Sequence, residues 1–209
     1  MNFNNLWLTR VSPEGNNRIN EFLQSGIIAI GWSKLGDMRN KDKNKISEEL
    51  AKNGYNNSNV TVGVLNHFFN NMKVGDLCII PDQSNIYLAQ INSEYYFEPA
   101  KVKDKYPHQR KVKFINKNNP FNRNKLPESI RKSLGAQNTV ANLNHRIPEM
   151  KNFLQTQFTS SNTNIENELI KLLPKALENI KEAIRSNDIE IRTKVSFDII
   201  KLLKLNNND

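Results

Sequence analysis

In this 209-residue sequence, few of the residues that could carry out catalysis or bind a metal stand at the spacings that such sites require. The three histidines, His67, His108 and His145, form no HxxxH or HxH metal pair. No glycine-rich phosphate loop and no GxSxG nucleophile motif occurs. Pro81-Asp82 would fit a metal-dependent nuclease only with an acid-x-Lys triplet on the next strand, and YLAQIN supplies neither residue. We therefore expect no catalytic site, no metal site and no cofactor.

An aromatic residue is the first candidate for a binding role. The stretch GIIAIGWSKLGD, residues 26–37, ends an apolar run in a Gly-Trp pair, which places Trp32 at the end of a predicted strand. A tryptophan in this position fills a core, as most tryptophans do, or presents a flat face to a ligand that stacks on it. The residue types alone leave both interpretations open.

The excess positive charge lies in one segment. The whole chain has a formal net charge of +9. Residues 101–151 contain thirteen Lys/Arg and three Asp/Glu, a net of +10, whereas residues 160–209 contain eight of each. Such an asymmetry is typical of a protein that binds a polyanion such as nucleic acid. A solvated basic surface in a lysine- and asparagine-rich chain is the alternative.

Short strands bounded by turn residues, with small helices between them, must position these groups. Strands are predicted in NLWLTRV, GIIAIGW, DLCII, NIYLAQI and RKVKFI. In the last of these, alternation places Lys111 and Lys113 on one face and Arg110 on the other, so Arg110 is either exposed at the strand's beginning or directed inward. The pattern favours a compact, barrel-like α+β domain over a parallel βαβ sheet.

The composition changes after residue 154. Residues 155–164 (QTQFTSSNTN) are polar and predict a linker between a first domain, 1–154, and the C-terminal segment. Residues 165–209 carry apolar residues at helical spacing on both sides of a Ser-Asn-Asp turn, which predicts a helical hairpin. Two short amphipathic helices do not bury their apolar faces alone, so we expect the hairpin to dock on the first domain or on another chain.

The cysteine content indicates the compartment. Cys78 is the single cysteine and has no partner for an internal disulfide, which favours a reducing cytoplasm. No uninterrupted apolar run approaches the roughly 18 residues of a membrane-spanning helix. No signal-peptide pattern is present at the beginning of the sequence. We expect a cytoplasmic protein without a membrane partner.

Five segments, in their order, resemble a known family. They are GIIAIGWSKLGD, FFNNMKVGDLCIIPD, NIYLAQINSEYYFEPA, YPHQRKVKFI and LPESIRKSLGAQNTVANLN. Over residues 3–146 the chain is similar to the EVE/PUA-like domains, related to YTH domains, of modification-dependent restriction proteins such as Mrr-like nucleases and methylcytosine-specific B subunits. Phe114 stands where tryptophan is common in that family. The resemblance implies a PUA-like pseudo-barrel with small peripheral helices that binds nucleic acid, in several members by extruding a base into an aromatic pocket.

The resemblance also implies roles for particular residues. Trp32 would form one wall of the base pocket, where an aromatic face restores roughly 1–3 kcal/mol of stacking to a flipped base, and Asp37 would read the base edge. Asp82 and Asn85 flank a turn, which explains these two residues equally well. The candidate pocket residues are Trp32, Asp37, Trp7, Tyr95, Tyr96, Asp82 and Asn85. The candidate contacts to the nucleic-acid backbone are His108, Arg110, Lys111, Lys113, Arg131, Lys132 and Arg146.

These features together lead us to expect a non-catalytic specificity module that reads a modified, flipped base in a prokaryotic restriction or defence system. DNA is the favoured partner over RNA, although phosphate contacts alone carry no sequence information. The expected nuclease or motor is absent from these residues, so we expect one of two arrangements. Either the chain is part of a larger architecture, or residues 165–205 recruit an effector nuclease in trans or associate with a second copy. Two alternatives are an RNA-binding PUA-like protein and an assembly or adaptor protein acting through the hairpin.

Overall fold

The computed structural model describes residues 2–205, with the backbone alone for residues 158–170 and 201–205. The chain divides into two compact units, Met1–Leu154 and Gln155–Asp209. Within the described residues, eight strands of the first unit form one curled, half-barrel sheet, and helices flank it. The mixed α+β class predicted from the sequence is confirmed.

The strands and helices follow the predicted order with small differences in bounds. The strands are β1 Leu6–Thr9, β2 Ile27–Ile30, β3 Leu77–Asp82, β4 Asn85–Ile91, β5 Tyr96–Phe97, β6 His108–Phe114, β7 Phe121–Asn122 and β8 Val140–Asn142. The helices are α1 Ile19–Ser25, α2 Lys43–Lys52, α3 Asn59–Asn66, α4 Glu128–Ser133, α5 Ile147–Arg185 and α6 Ile189–Leu205. A π-helical turn, His67–Asn71, continues α3.

The sheet places the end of β2 beside the beginning of β6. Its strand order is β2-β6-β4-β3-β1-β8, with β5 added to β6 and β7 added to β4. Only β1 and β3 are parallel among the pairs of the described strands. In the antiparallel pair β2–β6, Ile30 lies opposite His108. The residue pair that follows β2, Gly31-Trp32, therefore lies at the end of the sheet where β6 begins.

Both faces of the central strands are buried, which is why their sequences are unbroken apolar runs. In β1, Leu6 and Leu8 belong to one core and Trp7 to the other. The helices α1 and α2 cover the Trp7 side with residues such as Phe22 and Leu50, whereas α4 and the first turns of α5 cover the Leu6 side. Each fully buried side chain of this size contributes roughly 1.5–3 kcal/mol.

The described part of the second unit consists of α5 and α6, with the non-helical residues 186–188 between them. The segment predicted as a linker, 155–164, is helical within α5, so it is not an extended connection. It lacks Gly and Pro, and Ser, Thr and Asn cost a helix at most about 0.7 kcal/mol each. Asp188 caps α6 by accepting hydrogen bonds from two backbone N–H groups of its first turn. No helix of the described residues is long and apolar enough to cross a membrane. Residues 206–209 of the predicted hairpin lie outside the described residues.

Candidate functional site

A cavity of about 290 Å³ opens beside Trp32 at the end of β2. Its volume lies near the lower end of the roughly 300–1,000 Å³ that ligand pockets enclose. Two aromatic side chains, Trp32 and Tyr55, and the Glu14 carboxylate are the groups best suited to orient a flat ligand there. The residues that line it include Ser12, Glu14, Gly31, Trp32, Tyr55 and Thr139.

The backbone of this cavity is strained. Trp32 has a left-handed conformation, with φ of +56°, which is an outlier for a bulky side chain and costs on the order of 1–3 kcal/mol. Glu14, with φ of +47°, and Gly15, with φ of +86°, are left-handed as well. The Trp32 ring is partly buried and packs against the main core without being enclosed by it. Such strain clusters at ligand sites, so it favours a binding role for Trp32 over a purely structural one.

A buried chain of hydrogen bonds holds the Trp32 backbone in place. The Tyr95 hydroxyl accepts a hydrogen bond from Met38 N at 3.1 Å and lies 2.9 Å from His108 Nδ1. His108 Nε2 lies 3.3 Å from the Trp32 carbonyl oxygen. Because a carbonyl only accepts, Nε2 carries the imidazole proton and Nδ1 accepts from the tyrosine hydroxyl. The chain requires a neutral imidazole, and burial lowers the pKa of His108 to about 4.

Glu14 joins the loop before α1 to the segment after β2. Its Oε1 accepts hydrogen bonds from Ser33 N at 2.9 Å and Ser33 Oγ at 2.8 Å, and its Oε2 lies 4.0 Å from Lys105 Nζ. Gly31 passes very close to this side chain, because a Cβ at position 31 would lie 2.6 Å from Glu14 Cγ. Glycine at position 31 therefore permits the close approach that forms one wall of the cavity.

Three of the predicted contact residues are buried and support the core. Trp7 is 2% exposed and donates from Nε1 to Asp76 Oδ2 at 2.8 Å, so it is not a wall of the Trp32 cavity. His108 is fully buried, so it is not a phosphate contact. Tyr95 is 5% exposed and acts through the hydrogen-bond chain behind Trp32. Tyr95 and His108 hold the Trp32 backbone in place, whereas Trp7 belongs to the core.

Arg110 is fully buried and caps a helix, so its prediction as a phosphate contact is wrong. The carbonyls that end the π-helical turn His67–Asn71 lack partners within the helix. Arg110 Nε donates to Phe68 O at 2.8 Å, and Nη2 donates to Phe69 O at 3.2 Å. Its Nη1 donates to Ser93 O at 3.1 Å. Burial lowers the pKa of this guanidinium, and the carboxylate of Glu94, in the loop between β4 and β5, opposes that shift.

The remaining basic candidates are accessible but do not surround Trp32. Lys111 and Lys113 are exposed on β6. They lie three and five residues beyond His108, about 10 and about 17 Å along the strand at its ordinary rise. Lys132 is exposed and pairs with Glu128, whereas Arg131 and Arg146 are partly buried.

The polar pocket candidates also lie apart from the cavity. Asp37 is exposed, with Oδ2 3.3 Å from Arg39 Nη2. Asp82 accepts from Asn17 Nδ2 at 2.7 Å and lies opposite Asn85 in the β3–β4 pair, so both belong to a turn. Tyr96 lines a separate groove.

Sequence reasoning missed Glu14 and Tyr55. Glu14 stands between Pro13 and Gly15, and these two residues indicate only a turn. Tyr55 is a lone aromatic residue in the polar stretch NGYNNSN. An aromatic side chain in such a loop is the signal by which the sequence could have identified it.

The residues of the cavity fall within a recognised family domain. The chain matches the family described as a domain of unknown function, DUF8426, over residues 7–144, and it belongs to that family. The match contains every lining residue from Ser12 to Thr139. No curated protein and no solved structure matches the chain. The family description names no activity, so the chemistry of the cavity must indicate the function.

The side chains of the cavity are suited to stacking and to hydrogen bonding. Among the described residues, no group of three or more His, Cys, Asp or Glu side chains could hold a metal ion. Cys78 is buried, and burial raises the pKa of its thiol to about 12, which disfavours the thiolate that a nucleophile requires. The aromatic rings and the carboxylate of the cavity can bind a ligand without any of these groups.

Proposed function

We propose that the protein is a nucleic-acid-binding specificity module whose Trp32 cavity accepts one base extruded from its stack. The observation that carries this proposal is the strained, partly buried Trp32 beside Tyr55 at a cavity of about 290 Å³. That volume equals the volume that about ten water molecules occupy in liquid water. It suits a ligand of about ten non-hydrogen atoms, which is the size of one nucleobase.

The charge distribution supports a polyanionic partner. Residues 101–151 carry a net charge of +10, and Lys111 and Lys113 are exposed. Lys34, next to the cavity, is exposed with its ammonium 6.0 Å from the centre of the Tyr55 ring. Cations of this kind neutralise phosphates and make affinity depend on salt. They serve DNA and RNA equally, so the partner must be identified by measurement.

The resemblance of residues 3–146 to EVE/PUA-like domains supports the same function and, with the curled sheet, a PUA-like pseudo-barrel. By that resemblance the module reads a modified DNA base in a cytoplasmic restriction or defence system and acts without catalysis of its own. Glu14 is the carboxylate in the cavity, and a carboxylate accepts hydrogen bonds from the amino group of cytosine or adenine. A modified cytosine or adenine is therefore the favoured ligand.

A competition binding assay at two salt concentrations tests the proposal. It compares cytosine-modified, adenine-modified and plain duplex DNA with RNA of one sequence, and we expect a preference of at least about tenfold for one modified duplex. Trp32→Gly removes the ring while relieving the left-handed strain, so the preference should be lost without unfolding. Trp32→Phe keeps a ring and should retain part of the preference. Equal, salt-sensitive binding of every probe would contradict base reading, and unfolding of Trp32→Gly would assign Trp32 to the core.

Assembly through the second unit is a second candidate function. Large apolar side chains of α5 and α6 are exposed, each by 48% or more: Leu172, Leu173, Leu177, Phe197 and Ile200. Exposed apolar clusters of this kind mark protein contacts. Light scattering of the wild type against Leu173→Glu with Leu177→Glu tests it, because loss of a larger species in the variant would support assembly.

A further inference from the structure

Tyr95 and Tyr96, which the sequence placed with Trp32, line a separate groove of about 580 Å³. A second opening, of about 600 Å³, shares Asn40 and Asn70 with this groove. The two openings that share these residues are together called the Tyr96 trough. It lies outside the basic segment 101–151, and nothing in the function proposed above uses it.

The Tyr96 trough carries more cations than anions. Arg39 and Lys73 line one part of it, and Lys41 and Lys43 line the other. Lys43 and Lys73 are exposed, and neither ammonium group has a carboxylate partner within 4.0 Å among the described residues. These two lysines are available to neutralise an anionic ligand.

The two carboxylates of the trough are already engaged. Asp42 caps α2, with Oδ1 accepting from Lys45 N at 2.9 Å. Glu94 lies 3.7 Å from the buried guanidinium of Arg110. Arg39 and Lys41 are paired in turn, with Asp37 at 3.3 Å and with Glu49 at 3.1 Å, so the unpaired positive charge of the trough is that of Lys43 and Lys73. An anion is therefore favoured over a cation as its ligand.

The trough also presents a ring and an amide acceptor. The Tyr96 hydroxyl donates to Gln109 Oε1 at 2.9 Å, which fixes the orientation of a partly exposed ring. Asn70 Nδ2 donates to Lys41 O and to Asn66 Oδ1, each at 2.9 Å. With both amide hydrogens donated, the amide oxygen of Asn70 is the atom that can accept from a ligand. A ring, an acceptor and free cations together suit a nucleotide better than a simple anion.

The trough is connected to the Trp32 cavity by a chain of hydrogen bonds inside the protein. Tyr95 lines the trough, its hydroxyl contacts His108 Nδ1, and His108 Nε2 contacts the Trp32 carbonyl oxygen. Two buried side chains, Tyr95 and His108, therefore connect the trough to the backbone that holds the cavity's aromatic wall.

We propose that the Tyr96 trough binds the single-stranded segment that flanks the base in the Trp32 cavity. Lys43 and Lys73 contact its phosphates, and Tyr96 stacks on a neighbouring base. Positively charged grooves with aromatic side chains hold single strands in this way, with little sequence preference. The inference rests on the proposed function, because it takes the same nucleic acid as the ligand.

Fluorescence anisotropy with labelled 12-nucleotide single strands of DNA and RNA tests the inference on the full chain. Lys43→Gln with Lys73→Gln should weaken binding about tenfold and reduce the salt slope by about 1.4, the value for two phosphate contacts on a single strand. Lys52→Gln with Lys175→Gln removes the same charge from exposed positions outside the trough and should leave both quantities close to wild type. The better of the two polymers identifies the source of the strand.

Tyrosine variants separate stacking from charge. Tyr96→Ala should weaken binding about tenfold with an unchanged salt slope, whereas Tyr96→Phe keeps the ring and should bind like the wild type. Wild-type affinity and slope in the double lysine variant would overturn the trough assignment, as would a wild type that binds duplexes but no single strand. The preference for a modified base is measured separately on Trp32 variants. If the lysine and tyrosine variants bind like the wild type while the modified-base preference persists, the trough assignment is wrong and base reading stands. If the preference is absent but these variants weaken binding to single strands, base reading is wrong and the trough assignment stands.

Discussion

At the scale of single residues, His108 couples the candidate site to pH. Its pKa is lowered by burial to about 4, against about 6.5 in an unfolded chain, while Asp37 and Glu14 oppose the shift weakly. The folded protein thus binds fewer protons than the unfolded one between these values, so the free energy of unfolding falls as pH falls through this window. The loss should reach about 3 kcal/mol by pH 4.

Urea unfolding between pH 7 and pH 4 measures this contribution. His108→Gln keeps a donor and an acceptor but does not titrate, so it should lose about 3 kcal/mol less than the wild type over that range. His145→Gln, at an exposed histidine, should follow the wild-type profile. Identical profiles for wild type and His108→Gln would contradict a neutral, buried His108.

Arg110 is the second residue whose role can be isolated. Arg110→Met should lower the free energy of unfolding by about 2–5 kcal/mol, because the carbonyl oxygens of Phe68 and Phe69 are left buried without donors. Lys111→Met changes an exposed neighbour on the same strand and should stay within about 0.5 kcal/mol of the wild type. Equal effects of the two substitutions in urea unfolding would refute the capping role.

The sequence could separate Arg110 from its neighbours but could not assign its environment. Alternation in β6 correctly divides Lys111 and Lys113 from Arg110, since the side-chain period of a strand is two. Which face meets solvent depends on the π-helical turn His67–Asn71, about 40 positions earlier in the chain. A local pattern carries no information about a contact of that separation. Trp7 was misassigned for the same reason, because its partner Asp76 lies 69 positions away.

At the scale of elements, the end of β2 decides whether the cavity exists. Gly31→Ala should push Glu14 away from the cavity, because the new Cβ would lie 2.6 Å from its Cγ, and overpacking of this kind costs about 1–3 kcal/mol. Gly36→Ala is the matched control, since a Cβ there meets nothing within 4 Å. The midpoint of thermal unfolding and the preference for a modified base should both fall for Gly31→Ala, and neither should fall for Gly36→Ala. Equal behaviour of the two variants would show that the approach of Glu14 does not shape the site.

Elements were easier to predict than the contacts between them. Apolar runs and turn residues predicted β1 to β4, β6 and the presence of helices. This is possible because a helix or strand with a buried face repeats its apolar residues at a fixed spacing in the sequence. Composition alone predicted a linker at the polar stretch 155–164, whereas α5 continues through these residues, which lack Gly and Pro. The strained turns at Glu14 and Trp32 left no sequence signal, since left-handed backbone normally selects glycine or asparagine.

At the scale of the whole molecule, the nucleic-acid binding that we propose belongs to the first unit, because the net charge and the core both lie there. Residues 155–209 contain eight basic and eight acidic residues, so they add no net charge to the molecule. The last core residues, Met150, Phe153 and Leu154, end where the first unit ends. A fragment 1–154 should therefore fold, bind nucleic acid within about twofold of the full chain and show the same salt slope.

A shorter fragment provides the control for that truncation. Fragment 1–146 lacks Met150, Phe153 and Leu154, exposes the core on the Leu6 side and should unfold, which circular dichroism would detect. If fragment 1–154 folds but binds tenfold more weakly than the full chain, the neutral helices must contribute by linking two copies, since joined sites gain avidity without new ligand contacts. That result would favour assembly as part of recognition. Unchanged affinity and slope would instead leave α5 and α6 free to contact an effector while the first unit holds the nucleic acid.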